Sequence, residues 1–401
     1  MTGDSLATGQ RSLGDPSVTY PLWPPLTSGC PRTSTAELAY PVEVDYAYDR
    51  TPDDLFSRGR TRKAGLDRWA SLLPPLAVPT LGEGGTPLVE IGDGVYLKDE
   101  SRNPTWSHKD RLNRCAVSAA VGVEAEGVVV ASSGNHGASA AAFAARAGLR
   151  CVVLASAGAP PAVRSFVNAY GAVVLPVPWE SRWPLMRQIV DRLGYHPVSN
   201  LTVTHTGHAF GPEGYKTIAY EIFTDIGVPA AVFMPVGYGE LLFGVWKGFA
   251  ELRRLGLAQR VPRMYACEPA AGGPLAAAVR QGLPAAVVPV GPTSAYGIAC
   301  AVGGHRGLVA IRESGGEALL VSDEEMAAAQ AELSRQGMWT ELSGAAGLAG
   351  LRRHGVVDGP VVCISTSSGF KDLAVGSHGP EAVEPTWDAV SRRLRSAGIS
   401  T

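Results

Sequence analysis

The sequence has no run of about 18 apolar residues free of polar groups or proline, so no membrane span is expected. It has no surplus of one charge either. Thirty-five basic and 37 acidic residues leave a net charge of −2, which argues against a nucleic-acid groove or a membrane-surface patch. The short basic cluster Arg60, Arg62 and Lys63 reads as a solvated face. Cysteines are few, at 30, 115, 151, 267, 300 and 363, and none stands at C-x-x-C spacing. That excludes the usual zinc and redox motifs, and no metal site is expected. A disulfide framework is equally out of place in a chain of 401 residues. The start lacks a basic stretch followed by an apolar core, so no signal peptide is expected and a cytoplasmic enzyme is the starting expectation. Low-complexity tracts and short internal repeats are missing too.

The length suffices for two domains and a sizeable core. Residues 1–20 are polar and rich in Gly, Ser and Thr, which predicts disorder. Residues 21–80 hold many prolines and the alternating Tyr40–Tyr46, which suits a short strand in an N-terminal extension. From residue 86 onward the pattern changes. Short apolar runs at 95–98, 127–131, 151–154, 231–236, 263–268 and 361–364 read as buried strands. Helical periodicity fills 111–121, 138–147, 163–170 and 241–255. Strands alternating with helices predict an α/β fold with largely parallel sheets. In such sheets ligands collect where a strand's carboxyl end leads into a helix.

Four loops of that kind stand out. The first, Asn103 to Arg111, places Lys109 at a helix start. There the helix dipole and partial desolvation disfavour an ammonium and leave a nucleophilic amine. An isolated lysine would simply be solvated. The second, Ser132-Ser133-Gly134-Asn135-His136-Gly137, has the small residues that let backbone N–H groups converge on an anion; the alternative is a plain tight turn. The third, Pro235 to Leu242, has glycines that permit close approach to a phosphate, but Glu240 is an awkward neighbour for one unless it turns away. The fourth, Ser365 to Asp372, offers hydroxyls to a ring nitrogen, or is a serine-rich turn.

Together, the loops and their order resemble the fold-type-II pyridoxal-phosphate enzymes (tryptophan synthase β-like), and in particular the threonine synthase and serine/threonine dehydratase group. The resemblance spans roughly residues 80–375 and rests on five stretches. These are Gly82 to Leu88, Lys98 to Arg111, Glu213 to Ile222, Trp246 to Phe249, and Gly369 to Asp372. It implies two open twisted sheets flanked by helices, with the cofactor between domains. The large domain would comprise 81–102 and 206–401, and the small domain 103–205 with Lys109 and the Asn135 loop. It implies pyridoxal 5'-phosphate held as a Schiff base by Lys109, which also moves the substrate proton. By position, Asn135 would bond the cofactor's 3-hydroxyl oxygen, and the backbone of Gly237, Tyr238, Gly239, Glu240 and Leu241 would cradle its phosphate. Thr366 or Ser367 would meet the pyridine nitrogen. Thr105, Ser132, Ser133, Gly134 and His136 would bind substrate. A homodimer and an amino-acid substrate are implied as well.

Several positions depart from threonine synthase. His136 stands where a threonine is usual, and the arginine of an Asn-Pro-x-Arg motif is missing from Thr204 to Pro212. Trp106, His108 and Leu112 replace smaller or different residues around the lysine, and Trp106 is expected to reshape the pocket. His136, His205 and His208 are either packed histidines or partly cationic partners for a substrate phosphate or sulfonate. Three readings are open. One is threonine synthase proper. The second is β-elimination or β-replacement on serine, threonine or an activated amino acid. The third is cofactor binding without turnover.

Overall fold

The computed structural model of the protein describes residues 4–57, 64–132, 134–156, 161–372 and 382–401. The Arg60–Lys63 cluster and Ser133 lie outside the described residues.

The N-terminus forms a three-stranded antiparallel sheet. Its strands are β1 (Ala7–Ser12), β2 (Thr19–Pro21) and β3 (Val42–Tyr46), in the order β2-β1-β3. The disorder expected of residues 1–20 is thereby corrected for residues 4–20, residues 1–3 lying outside the described residues. Composition misleads here because the polar side chains serve the fold. Gln10 is buried, and its amide donates to the carbonyls of Pro21, Leu22 and Pro24 while its oxygen accepts from Leu26 N–H. Ser12 is buried against Thr33.

The chain then runs through β4 (Leu88–Gly92) and β5 (Val95–Asp99) into the helix Lys109–Gly122. A four-stranded parallel sheet comes next. It is built from β6 (Gly127–Val130), β7 (Arg150–Ala155), β8 (Val173–Pro176) and β9 (His196–Pro197), in the order β8-β7-β6-β9. Helices Asn135–Ala147, Pro161–Ala169 and Arg182–Leu193 join its strands. The remaining strands are β10 (Ala231–Pro235), β11 (Arg263–Pro269), β12 (Glu317–Val321) and β13 (Val361–Ser365). They join β5 and β4 in a six-stranded sheet, β12-β11-β10-β13-β5-β4, parallel except for the β4–β5 pair. This is the expected α/β architecture. β6, β10 and β13 are buried along their whole length, as strands covered on both faces must be.

Two strand ends matter most. β10 and β13 are neighbours, so the loops after Pro235 and Ser365 emerge side by side. The loop after β6 opens the helix Asn135–Ala147.

Candidate active site

Lys109 is the first residue of its helix. The loop before it is zipped to the loop after β13. His108 donates from both its backbone N–H and its ring Nδ1–H to Thr366 O, each at 3.0 Å. Trp106 O accepts from Ser368 N–H and from Ser367 Oγ. Lys109 and Thr366 are therefore fixed relative to each other by backbone. Burial and the neighbouring Lys109 hold the His108 ring neutral, well below an ordinary histidine.

A buried ionic network grips the same helix. Arg111 bonds both oxygens of Glu100 (2.7 and 2.8 Å) and both of Glu221 (2.7 and 2.8 Å). Lys98 pairs with Glu221 at 2.7 Å, and Thr86 and Asn103 complete the lone pairs of Glu100. Glu213, Lys216, Lys247 and Glu251 form a second such cluster, with Lys247 at 2.7 Å and Lys216 at 2.7 Å from Glu213. The lysines hold the Glu213 carboxyl down to about 2 against the upward push of burial. Nearly half of the polar residues in the stretches that carry the resemblance are spent in these networks, which position the lysine rather than touch a ligand.

Lys109 itself has no carboxylate within ion-pair distance among the described residues. Its Nζ lies 5.7 Å from the centre of the Tyr215 ring. Desolvation lowers its pKa, against the pull of Glu240, Cys300 and Glu341. Burial thus shifts the balance from the ammonium toward the neutral amine.

One cavity brings together Lys109, Ser132, Gly134, Asn135, His136 and Thr366 with the whole stretch 237–241. The Asn135 amide is oriented from behind. Its oxygen accepts from Lys371 Nζ at 2.9 Å and from Ser367 Oγ at 3.1 Å, and its nitrogen donates to Glu341 at 2.9 Å. Its second amide hydrogen has no partner among the described residues and is available to a ligand oxygen. Gly239, at φ +88°, turns the chain into the helix Glu240–Arg254, whose first-turn amides have no partner within the helix. Glu240 does turn aside. Its carboxylate accepts from His208 N–H at 3.4 Å and lies 3.9 Å from His205 Nε2.

Two expected ligand residues are not in the cavity wall. Thr105 is buried and spends its hydroxyl and N–H on Asp110, at 2.6 and 2.7 Å. Ser367 stands behind Asn135. Trp106 does not reshape the pocket either. It is 41 % exposed, at φ +62°, packed edge-on to Phe166. The histidines do not supply a cation. His136 donates from Nε2 to Val198 O and accepts from Asn113, and burial takes its pKa down to about 3. His205 stacks on Tyr238 with ring centres 4.0 Å apart, and burial holds it neutral. His208 lies outside the wall. It accepts from the N–H groups of Phe210 and Gly211 at Nδ1 and donates to His196 Nε2 at 2.8 Å.

Sequence reasoning missed several wall residues, among them two charged ones, Glu341 and Arg182. Glu341 is buried, its Oε2 has no hydrogen-bond partner, and burial pushes its carboxyl up to about 7. Neither residue sits in a strand-to-helix loop of the kind singled out from sequence.

A lysine with a depressed pKa, an amide with one free hydrogen, a hydroxyl after β13 and a helix N-terminus share one cavity. This donor set suits a phosphorylated pyridine aldehyde: the helix end for the phosphate, Asn135 for a ring oxygen, Thr366 for a ring nitrogen. Comparison with known proteins agrees. A family profile described as "Pyridoxal-phosphate dependent enzyme" matches residues 79–367. The threonine synthase of Methanosarcina acetivorans is 34% identical over 355 residues, covering 82% of this chain and 86% of that protein. Among solved structures, maize serine racemase superposes with a TM-score of 0.62 at 20% identity, over 78% of this chain and 93% of that one. The processed threonine deaminase isoform 2 of Solanum lycopersicum gives 0.61 at 20% identity, over 79% and 84%. The fold is that of the fold-type-II enzymes, and the chain belongs to the threonine synthase-like family of pyridoxal-phosphate-dependent enzymes.

Proposed function

We propose that this protein is a lyase that catalyses elimination or replacement on an amino-acid substrate, with Lys109 as the residue that holds pyridoxal phosphate and moves the substrate proton. The observation behind this reading is the unpaired, half-buried Lys109 amine in one cavity with Asn135, Thr366 and the 237–241 cradle. When bound, the cofactor supplies an electron sink for the substrate's Cα bonds. The protein's own groups do the rest. The Lys109 amine, kept partly neutral by desolvation, takes the Cα proton as a general base and returns it as an acid. The Thr366 hydroxyl is a neutral partner for the ring nitrogen, so it does not hold a proton there as a carboxylate would. Loss of a leaving group from the substrate side chain is then favoured over transamination. The backbone N–H groups of 237–241 bind the phosphate, and the Asn135 amide fixes the ring oxygen. The loop from Ser132 to His136, with Ser133, takes the substrate α-carboxylate.

Within this reading threonine synthase, converting O-phosphohomoserine to threonine and phosphate, is the best single match by similarity. The neutral His136 and His205 favour the alternative, β-elimination or β-replacement on serine, threonine or an activated amino acid. Binding without turnover is the third reading. We further propose a cytoplasmic homodimer, with the division into 81–102 plus 206–401 and 103–205 as its two domains and the cofactor between them. The test is direct. Borohydride reduction of the yellow holoenzyme and subsequent peptide mapping are expected to place the label on Lys109. Incubation with O-phosphohomoserine, O-phosphoserine, serine and threonine then separates the chemistries. Phosphate with threonine marks the synthase, and a 2-keto acid with ammonia marks the eliminating enzyme. Failure to label Lys109 would overturn the assignment.

A further inference from the structure

The cavity wall holds a cation that the chemistry above does not use. Arg182 opens the helix Arg182–Leu193 and lines the cavity, yet is only 4% exposed. Its guanidinium carbon lies 3.5 Å from the centre of the Trp179 ring, and its Nε donates to Trp179 O at 3.3 Å. Among the described residues no carboxylate stands within ion-pair distance of it. The placement is unfavourable in three ways. The group is buried, it sits at the positive end of a helix dipole, and that helix has no acidic residue in its first turn. Burial accordingly lowers its pKa, with Tyr238 and Cys300 opposing. A buried, unpaired guanidinium on a helix N-terminus, facing a cavity, is relieved by an anion from that cavity.

Shape and charge decide the kind of anion. Stacking on Trp179 fixes the guanidinium plane, and the terminal NH2 groups offer the parallel donor pair that matches a carboxylate. The other wall groups set the charge. Lys109 is committed to the cofactor, and His136 and His205 are held neutral. Glu240 and Glu341 are carboxyl groups. Arg182 is then the one fixed positive charge left in the wall among the described residues. It balances a single negative charge. A phosphate dianion would leave surplus negative charge beside Glu240 and beside the cofactor's own phosphate.

We propose that Arg182 is the specificity-determining residue of this pocket and receives the distal carboxylate of an acidic amino-acid substrate whose Cβ also carries the leaving group, such as a β-hydroxylated one; L-aspartate and L-glutamate, which lack that group, serve as its non-reacting analogues. The chemistry after binding rests on the elimination or replacement reading, whereas binding alone tests the role of Arg182. The holoenzyme is titrated with L-2-aminobutyrate, L-aspartate, L-glutamate and O-phospho-L-serine, and the cofactor's absorbance band reports occupancy. At least one of the two acidic amino acids is expected to bind about tenfold or more tightly than 2-aminobutyrate, the equivalent of about 1.4 kcal/mol. R182Q should abolish that difference while leaving 2-aminobutyrate within about twofold; R182K, which keeps the charge but not the fork, should retain part of it. If R182Q does not fold, R182K alone makes the comparison. Equal weakening of 2-aminobutyrate would overturn the proposal and give Arg182 the α-carboxylate. Loss of pyridoxal-phosphate affinity without substrate would give it the cofactor phosphate instead. Tightest binding of phosphoserine would refute the single-charge argument. Absence of product from bound 3-hydroxy-L-aspartate, which adds a β-hydroxyl leaving group to the distal carboxylate, would count against the proposed reaction and leave the Arg182 result standing.

Discussion

Two sets of buried charge meet at the helix Lys109–Gly122, and the protein treats them oppositely. In the network behind the lysine, every charge is paired. Arg111, Glu100, Glu221 and Lys98 are all buried, and each has a partner at 2.8 Å or less. In the cavity, Lys109 and Arg182 have no carboxylate partner among the described residues, and Glu341 keeps one oxygen without a partner among them. Burying a charge costs several kcal/mol unless it is paired. The paired set meets that cost with its own members and so fixes the backbone. The unpaired set leaves it uncompensated until a ligand arrives. One region is built for rigidity, the other for binding, and they share a single helix.

The sharpest way to break this comparison is to exchange the two kinds of loss. Lys109→Ala removes an unpaired group, so folding should not suffer. The melting temperature is expected to stay within a few degrees or rise. On the proposed function, turnover should fall by about a thousandfold or more, since base and cofactor attachment would go together. Arg111→Met should do the reverse in kind. It strands the buried Glu100 and leaves Glu221 with Lys98 alone, and is expected to cost about 3–5 kcal/mol, read as a lower urea midpoint. If Arg111→Met left the midpoint unchanged while Lys109→Ala lowered it, the assignment of roles would be inverted.

How legible this was in the sequence differs between the regions. The loops after β6, β10 and β13 were readable because small turn-forming residues between an apolar run and a helix already imply an open strand end. The paired network was visible only as a set of motif residues. Nothing in the order Thr86, Glu100, Arg111, Glu221 says that the four side chains meet, because the contacts span up to 110 positions. Thr105 was misplaced for a related reason. It neighbours the lysine in sequence, but its hydroxyl and N–H are spent on the Asp110 carboxylate. Arg182 was unreadable because only the fold brings the helix after β8 to the mouth of the loop after β10. The error over residues 1–20 came from taking polarity as solvation when buried Gln10 and Ser12 are pairing groups.

A third kind of buried group sharpens the contrast, one that escapes the cost by giving up its charge. His196 and His208 share one N–H···N bond of 2.8 Å, and burial takes His196 down to about 4. In the unfolded chain a histidine titrates at about 6.5. Below that pH the unfolded state binds a proton that folded His196 refuses, so its contribution is complete above about 6.5 and is lost as pH falls toward about 4. His196→Gln keeps an acceptor for His208 without a titrating ring. The variant is expected to flatten the acid limb of stability by about 1.4 kcal/mol per pH unit in that window, relative to the parent. Urea midpoints of both proteins at pH 7.5 and 5.0 give the comparison. Parallel slopes would mean that His196 is free to charge in the folded state.

The smallest expected effect comes from the residue that belongs to both sets. Lys371 is buried like the network lysines, but its Nζ donates to a neutral oxygen, Asn135 Oδ1, at 2.9 Å. Burial lowers it to about 8, with Asp110 and Glu341 pulling the other way. If it acts as a structural cation, Lys371→Met should cost stability and spare the cofactor. The geometry argues for positioning instead. Lys371 and Ser367 together hold the Asn135 oxygen, which keeps the amide nitrogen turned toward Glu341 and the cavity. Removing one of the two holders leaves the other, so the amide should be loosened and not flipped. Lys371→Met is therefore expected to shift the absorbance maximum of the bound cofactor and lower turnover by about tenfold, about 1.4 kcal/mol, with a small change in melting temperature. Lys371→Arg, which keeps a donor, should recover part of the spectrum. A large stability loss with an unaltered spectrum would move Lys371 into the paired set and leave Ser367 as the residue that orients Asn135.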